Sequence, residues 1–152
     1  MRITPSPALL TGISAVILLT ACSNQAPDSF VLSRDCWIDA VNEKTGEQVL
    51  VAKGPVKIGG WAADSSTGMV PESLTVQLLD KDGKVVAKRS VEKKLERADV
   101  AKAYNRPGYL QSGFAVEFSD LSPVPDGYGV SIAMRGAGTS VLCPVKVWIK
   151  FQ

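Results

Sequence analysis

From Val141 to Phe151 every second residue is apolar or cysteine: Val141, Cys143, Val145, Val147, Ile149 and Phe151. A period of two is the mark of a strand with one buried face. A run this long commits the chain to a sheet, and a sheet with one apolar face needs a second layer against it. The same alternation returns elsewhere. Cys36, Ile38 and Ala40 share one parity, as do Leu74, Val76 and Leu78, then Phe114, Val116 and Phe118, then Val130, Ile132 and Met134.

Turn residues punctuate these runs. Glu43–Glu47 reads as a turn with Gln48–Ala52 as a return strand, and Lys53-Gly54-Pro55 breaks the chain before a strand over Val56–Ala63. Gly59-Gly60 inside that strand predicts a bulge, which would swing Trp61 from the parity of Lys57 into the core beside Val56 and Ile58. Asp64–Glu72 reads as a polar loop, and Asp80–Gly83 as a hairpin turn leading into Lys84–Lys93. Glu96–Tyr104 favours a short helix, ended by Asn105-Arg106-Pro107-Gly108. Asp120–Gly129 is a loop, and Gly136-Ala137-Gly138 turns into the final strand. Seven or eight short strands with one crossover helix predict an all-β fold, an immunoglobulin-like antiparallel β-sandwich with one short helix.

The first residues have another purpose. Arg2 gives a positive start, Ala8–Leu19 a short apolar stretch, and Leu19-Thr20-Ala21-Cys22 closes it. The stretch is shorter than the roughly 20 apolar residues a spanning helix needs. With a cysteine at its end, this leader resembles the signal of bacterial lipoproteins. The resemblance implies a signal peptide over residues 1–21, cleavage before Cys22, and acylation there, because a thiolate is the side-chain nucleophile able to take a diacylglyceryl group. Two or more acyl chains hold stably in a bilayer. Ser23 stands where an Asp would retain the protein at the inner membrane, so the resemblance implies the outer membrane, with the domain in the periplasm or at the cell surface. Residues 22–33 then form a lipidated tether and residues 34–152 the sandwich.

Removing residues 1–21 of the 152 leaves 131, one ordinary domain. With Cys22 lipidated, Cys36 and Cys143 remain of the three cysteines, an even pair that in an oxidising compartment predicts a disulfide. Closing so long a loop is worth up to about 4.7 kcal/mol by loop entropy. The formal charge of +2 falls to +1 without Arg2, too balanced to predict nucleic acid as a partner. The chain has no histidine, which removes the imidazole-based nucleophile relays and metal sites. No catalytic residues, cofactor or metal are therefore expected.

Ser90-Val91-Glu92-Lys93 and Lys44-Thr45-Gly46 match two short elements of penicillin-binding enzymes, but in reversed order, without the third element, and with the serine on a strand. Asp80-Lys81-Asp82-Gly83 lacks the later ligands of a calcium loop. Asp64 and Glu72 are the carboxylates considered for histidine-free hydrolysis, and nothing in the sequence brings them together. Binding candidates are clearer. Lys81–Arg106 carries nine bases against four acids, among them Lys88, Arg89, Lys93, Lys94 and Arg97. Such a run either contacts anionic headgroups or an acidic partner, or protects an exposed sheet edge. Trp37 and Trp148 sit off the core parity of their strands, so a disulfide joining those strands would bring both indoles to one outer surface. Exposed indoles stack on sugars or anchor protein contacts; the alternative is that a loop or the helix covers them, as most tryptophans are well buried. Trp61 is a third candidate.

Gly60-Trp61-Ala62, then Arg97-Ala98-Asp99-Val100-Ala101, then Ser112-Gly113-Phe114 form an ordered pattern. Over roughly residues 54–150 it resembles a bacterial envelope domain found in lipoproteins and in extramembrane parts of glycosyltransferase-like membrane proteins, departing from it at Ala98, where proline is expected. The resemblance implies fold and location and carries no activity. Within the pattern Asp99 is expected to cap or orient the helix and Arg97 to pair with it or with a carbonyl, the alternative being a polar pocket walled by Trp61. The expected function is a lipid-anchored, non-enzymatic binding or adaptor module of the envelope, held to the membrane by its anchor and contacting an envelope protein, or alternatively a carbohydrate such as peptidoglycan or a surface polysaccharide.

Overall fold

The Val141–Phe151 alternation lies within the longest strand of the fold. The computed structural model describes residues 30–136 and 139–152, without the side chain of Val145, so the leader, Cys22, most of the tether, and Ala137 and Gly138 lie outside the described residues. The strands are β1 (Phe30–Leu32), β2 (Cys36–Val41), β3 (Gln48–Val51), β4 (Val56–Ala62), β5 (Ser73–Leu79), β6 (Val85–Ser90), β7 (Gly113–Phe118), β8 (Tyr128–Gly136) and β9 (Thr139–Phe151). One helix, α1 (Ala98–Ala103), and a 3-10 turn over Pro107–Tyr109 lie between β6 and β7.

Two sheets result. The large one runs β1-β9-β8-β5-β6, with β3 also on β9; the small one runs β2-β4-β7. Their inner faces meet in a core of Val41, Val56, Ile58, Leu74, Val76, Leu78, Phe114, Phe118, Val130, Ile132, Met134, Val141 and Ile149, all under 3% exposed. Each such side chain contributes roughly 1.5–3 kcal/mol by leaving water. The architecture is a β-sandwich, with the described core residues of β9 on the expected parity. The Asp80–Gly83 turn is a plain hairpin: Asp80 Oδ1 accepts the backbone N–H of Asp82 and of Lys84, each at 2.9 Å, and Gly83 takes the left-handed φ of 79°.

Three features differ from the expectation. First, β3 does not return beside β2. After β2 the chain crosses to the large sheet, where β3 pairs parallel with β9 (Gln48↔Trp148 to Val51↔Phe151). The crossing turn needs left-handed backbone at Asn42 (φ 47°) and Glu43 (φ 66°), and the Asn42 side chain locks it, accepting the Lys57 N–H at 2.7 Å and donating to the Pro55 carbonyl at 3.2 Å. Second, Phe30–Leu32, within the tether bounds of residues 22–33 but apolar enough to touch the domain, form a strand that pairs parallel with residues 140–142 of β9.

Third, the bulge lies on β2 and not in β4. The β4–β7 register runs without interruption from Val56↔Phe118 to Trp61↔Gly113, whereas the β2–β4 register shifts between Ile38 and Ala40, leaving Asp39 as the extra residue. Trp61 therefore keeps the parity of Lys57 and faces out of the sandwich. Gly60 is needed for a different reason. It faces inward, and a Cβ there would overlap the Trp37 carbonyl oxygen and lie 2.9 Å from Phe114 Cζ.

Trp61 is nonetheless buried, at 7% exposure. The segment from β6 to β7 passes from the large sheet to the small one and lays α1 and the 3-10 turn over the outer face of β4. There Trp61, Ala63, Val100 and Tyr109 form a second small core. Trp61 meets Tyr104 edge-on at 5.1 Å between ring centroids and Tyr109 at 6.4 Å. The Tyr109 hydroxyl donates to the Asp35 carboxylate, and its pKa is raised, by burial first and by that bond second.

A candidate binding cleft

The outer edge of β9 is covered in two pieces. β1 pairs with residues 140–142 and β3 with residues 148–151, so neither covers 143–147. Over that interval the chain is in the other sheet as β2. The Cys36–Cys143 disulfide joins β2 to β9 there, with Cα atoms 6.3 Å apart, so it ties sheet to sheet. Above the joint opens a cleft of ≈ 560 Å³, lined by Trp37, Ile38, Asp39, Thr45, Gly46, Glu47, Gln48, Lys146, Val147 and Trp148. This volume falls in the range of small-ligand sites.

An uncovered strand edge can accept another strand, but this one is blunted. Pro144 has no N–H to offer. The register also shifts, Val130↔Val147 being followed by Ile132↔Cys143, so β9 carries two residues more than β8 across this interval. An even excess keeps the alternation in phase, which is why Cys143 and Val147 both still face inward. Lys146 adds a charge. Proline, an irregular register and lysine are three of the standard deterrents to strand addition. What the cleft presents is therefore side-chain chemistry.

That chemistry is aromatic with a few polar groups. Trp37 is 54% exposed and Trp148 half-buried. Lys146 Nζ lies 5.5 Å from the Trp37 ring centroid and donates to the Cys36 carbonyl at 3.4 Å. Glu47 and Gln48 are exposed on the opposite rim, held in place because the Glu47 carbonyl accepts the Trp148 N–H at 2.7 Å. Asp39, on the bulge, is engaged: Arg97 Nη1 reaches its carboxylate at 2.7 Å. The two indoles proposed from sequence parity are thus brought to one site. Trp61 is not there, since α1 and the 3-10 turn seal it.

The basic candidates separate. Arg97 is a brace. It forks onto Asp99 (Nε to Oδ1 2.9 Å, Nη2 to Oδ2 2.8 Å) while holding Asp39, tying the start of α1 to the β2 bulge. The bond from Arg97 pulls the Asp99 carboxyl down to about 2, and the bond to Asp99, with Asp39 adding, raises Arg97 further. Asp99 orients the helix through Arg97; Arg97 itself occupies the N-cap position without a side-chain cap bond. Lys94 is half-buried, its Nζ on the Pro71 carbonyl at 2.5 Å. Arg89 lies over the Phe118 ring at 5.5 Å. Lys88, Arg89 and Lys93 are exposed, on β6 and the turn after it, at the edge of the large sheet opposite to the cleft.

Asp64 and Glu72 do not meet as a pair in any bond among the described residues. Asp64 is 4% exposed and accepts from the Ser66 N–H and hydroxyl (2.8 and 2.6 Å) and the Thr67 hydroxyl (3.0 Å). Burial works to raise this carboxyl, but those bonds outweigh it and hold it below its ordinary value. The polar lining Thr45, Glu47 and Gln48 escaped the sequence reading because a Glu-Lys-Thr-Gly-Glu turn carries no signal of what it will overhang. Lys146 had one signal, its shared parity with Trp148. No protein-family model matches the chain, and a search of curated proteins finds no match.

Proposed function

We propose that the chain is a lipid-anchored, non-enzymatic binding module of the bacterial outer membrane, and that the Trp37–Trp148 cleft binds a saccharide of the envelope. The leader ending in Cys22 and the resemblance over residues 54–150 support the location; the two-sheet packing with an inter-sheet disulfide supports an immunoglobulin-like assignment. One observation carries the ligand class. Two indoles, two carboxylates (Asp39, held by Arg97, and Glu47), a carboxamide and an ammonium share one cleft whose backbone edge is blunted against peptide strands. Sugars have apolar faces that stack on indole and hydroxyls that bond to such polar groups. Titrating the intact protein with soluble peptidoglycan fragments should quench tryptophan emission, and Trp37→Ala and Trp148→Ala should each weaken the response by about tenfold, the cost of roughly 1.4 kcal/mol of contact. No quenching and no retention on peptidoglycan sink the proposal.

A second reading, contact with an envelope protein, is favoured by β6, which is exposed along most of both faces and bears Lys88 and Arg89. Cross-linking in cells from position 86 that repeatedly captured one protein, with peptidoglycan binding absent, would favour this reading over the saccharide.

A further inference from the structure

We infer that the end of the large sheet bearing Phe30 and Leu32 rests on the phospholipid surface, with these two side chains in the headgroup region. The inference rests on the reading of Cys22 as the lipid attachment point.

Exposure comes first. Phe30 is 61%, Leu32 63% and Val31 40% exposed, three consecutive apolar residues on the outermost strand. An edge strand of this composition is a liability in water, because it presents both apolar surface and unpaired backbone. Registered partners share a face, so Phe30 (with Ser140) and Leu32 (with Leu142) stand together on the outer face of the sheet.

Reach comes second. Cys22 and Phe30 are eight residues apart, and eight residues span at most about 29 Å even when fully extended. β9 alone, with 13 residues, is about 43 Å long at ~3.3 Å per residue. The anchor cannot lift the domain by its own length. Whatever path residues 23–29 take, the end where β1 begins is the end drawn to the membrane.

Charge comes third. The row beginning at Phe30 runs across the sheet through Ser140 and Arg135 to Ser73. Beside Ser73 the chain leaves β6, since the Val91 N–H bonds to the Leu74 carbonyl at 2.8 Å and Lys94 reaches Pro71. The exposed Arg135 and Lys93 therefore lie toward the same end as Phe30. The exposed Glu72 and Glu92 lie there too, so the charge at this end is mixed, and the apolar pair Phe30 and Leu32 makes the contact with the headgroup region. The Asp80–Gly83 hairpin and Val85 lie at the far end of the sheet. The cleft, at residues 146–148 of β9, stands roughly 20 Å from the Ser140 end along the strand.

The test uses the full chain, processed and lipidated in cells, purified in detergent and reconstituted into phosphatidylethanolamine–phosphatidylglycerol vesicles. Phe30→Trp and Val85→Trp each add one indole at an exposed site, read as the difference from the parent. Lipids brominated near the headgroup should remove most of the emission added at position 30 and leave that added at position 85 unchanged. Vesicle-bound protein with no greater quenching at 30 than at 85 overturns the inference and leaves the anchor standing. Protein that fails to stay with the vesicles overturns the anchor reading, and the inference falls with it.

Discussion

Trp37 and Trp61 are registered partners on neighbouring strands of one sheet, on the same outer face, and they end in opposite environments: 54% against 7% exposed. Alternation decides the face of a residue, but what covers that face is decided by where a connection lands. The connection from β6 must cross to the small sheet, and it lays α1 and Tyr109 over Trp61. It stops short of Trp37. Arg97 marks the border, bonded to Asp99 on the helix and to Asp39 on the β2 bulge. On the covered side indole area becomes folding stability. On the open side it stays in water.

The sharpest way to break this contrast is to delete each indole. Trp61→Ala should cost about 3–5 kcal/mol, as for other buried aromatic truncations. Trp37→Ala should stay within about 0.5 kcal/mol, as for a surface change. Denaturant unfolding of the two variants measures both. Equal losses would mean that Trp37 is packed in solution and that the cleft is closed.

A smaller effect tests the joint between the two tryptophans. A methyl at position 60 meets the Trp37 carbonyl and Phe114, whereas one at position 59 comes no nearer than 3.8 Å to the Phe114 carbonyl oxygen. Gly60→Ala should therefore cost about 1–3 kcal/mol as overpacking and displace the Trp37 backbone. Gly59→Ala should come out close to the parent by the same unfolding measurement. If both were neutral, β2 would be free to shift, and Trp37 would not be held where the cleft needs it.

The same pair of tryptophans shows what is legible in the sequence. The sandwich and the outward parity of Trp37 and Trp148 follow from period-two patterning, the helix from residue propensity and the disulfide from cysteine count, all of them local or arithmetical. The bulge is not legible, because Gly59-Gly60 signals close backbone approach, and an extra residue on the facing strand produces that signal as readily as one on its own. Asp39, the residue that bulges, has nothing unusual beside it in sequence. The cover on Trp61 comes from Tyr104 and Tyr109, far along the chain, and the role of Arg97 as a brace depends on a bond to Asp39 that spans 58 residues; no window along the chain contains either. Patterning finds β3 as a strand, but its partner is 100 residues away, and strand propensity does not name partners.

The smallest effect concerns the brace at the border. Asp99 lies at the surface, and the bond from Arg97 lowers its carboxyl from an ordinary 3.8 to about 2 in the folded chain. A carboxyl depressed by folding favours the folded state while it is ionised. Its contribution is complete above the ordinary carboxylate range and is lost as pH falls from about 4 through about 2, because the unfolded chain then takes up a proton that the folded chain resists. Asp99→Asn removes that titration. The denaturant midpoint of the parent should exceed that of the variant at pH 7 by a small margin, which shrinks as the pH is lowered toward 2. Titration of Asp64 is common to both proteins and cancels in the difference. Because the pair is open to water, the margin should also shrink with added salt. A margin independent of both pH and salt would mean that the substituted carboxamide disturbs the helix start by its shape, and that the border between covered and open tryptophan is set by packing of α1 rather than by the Arg97 bridge.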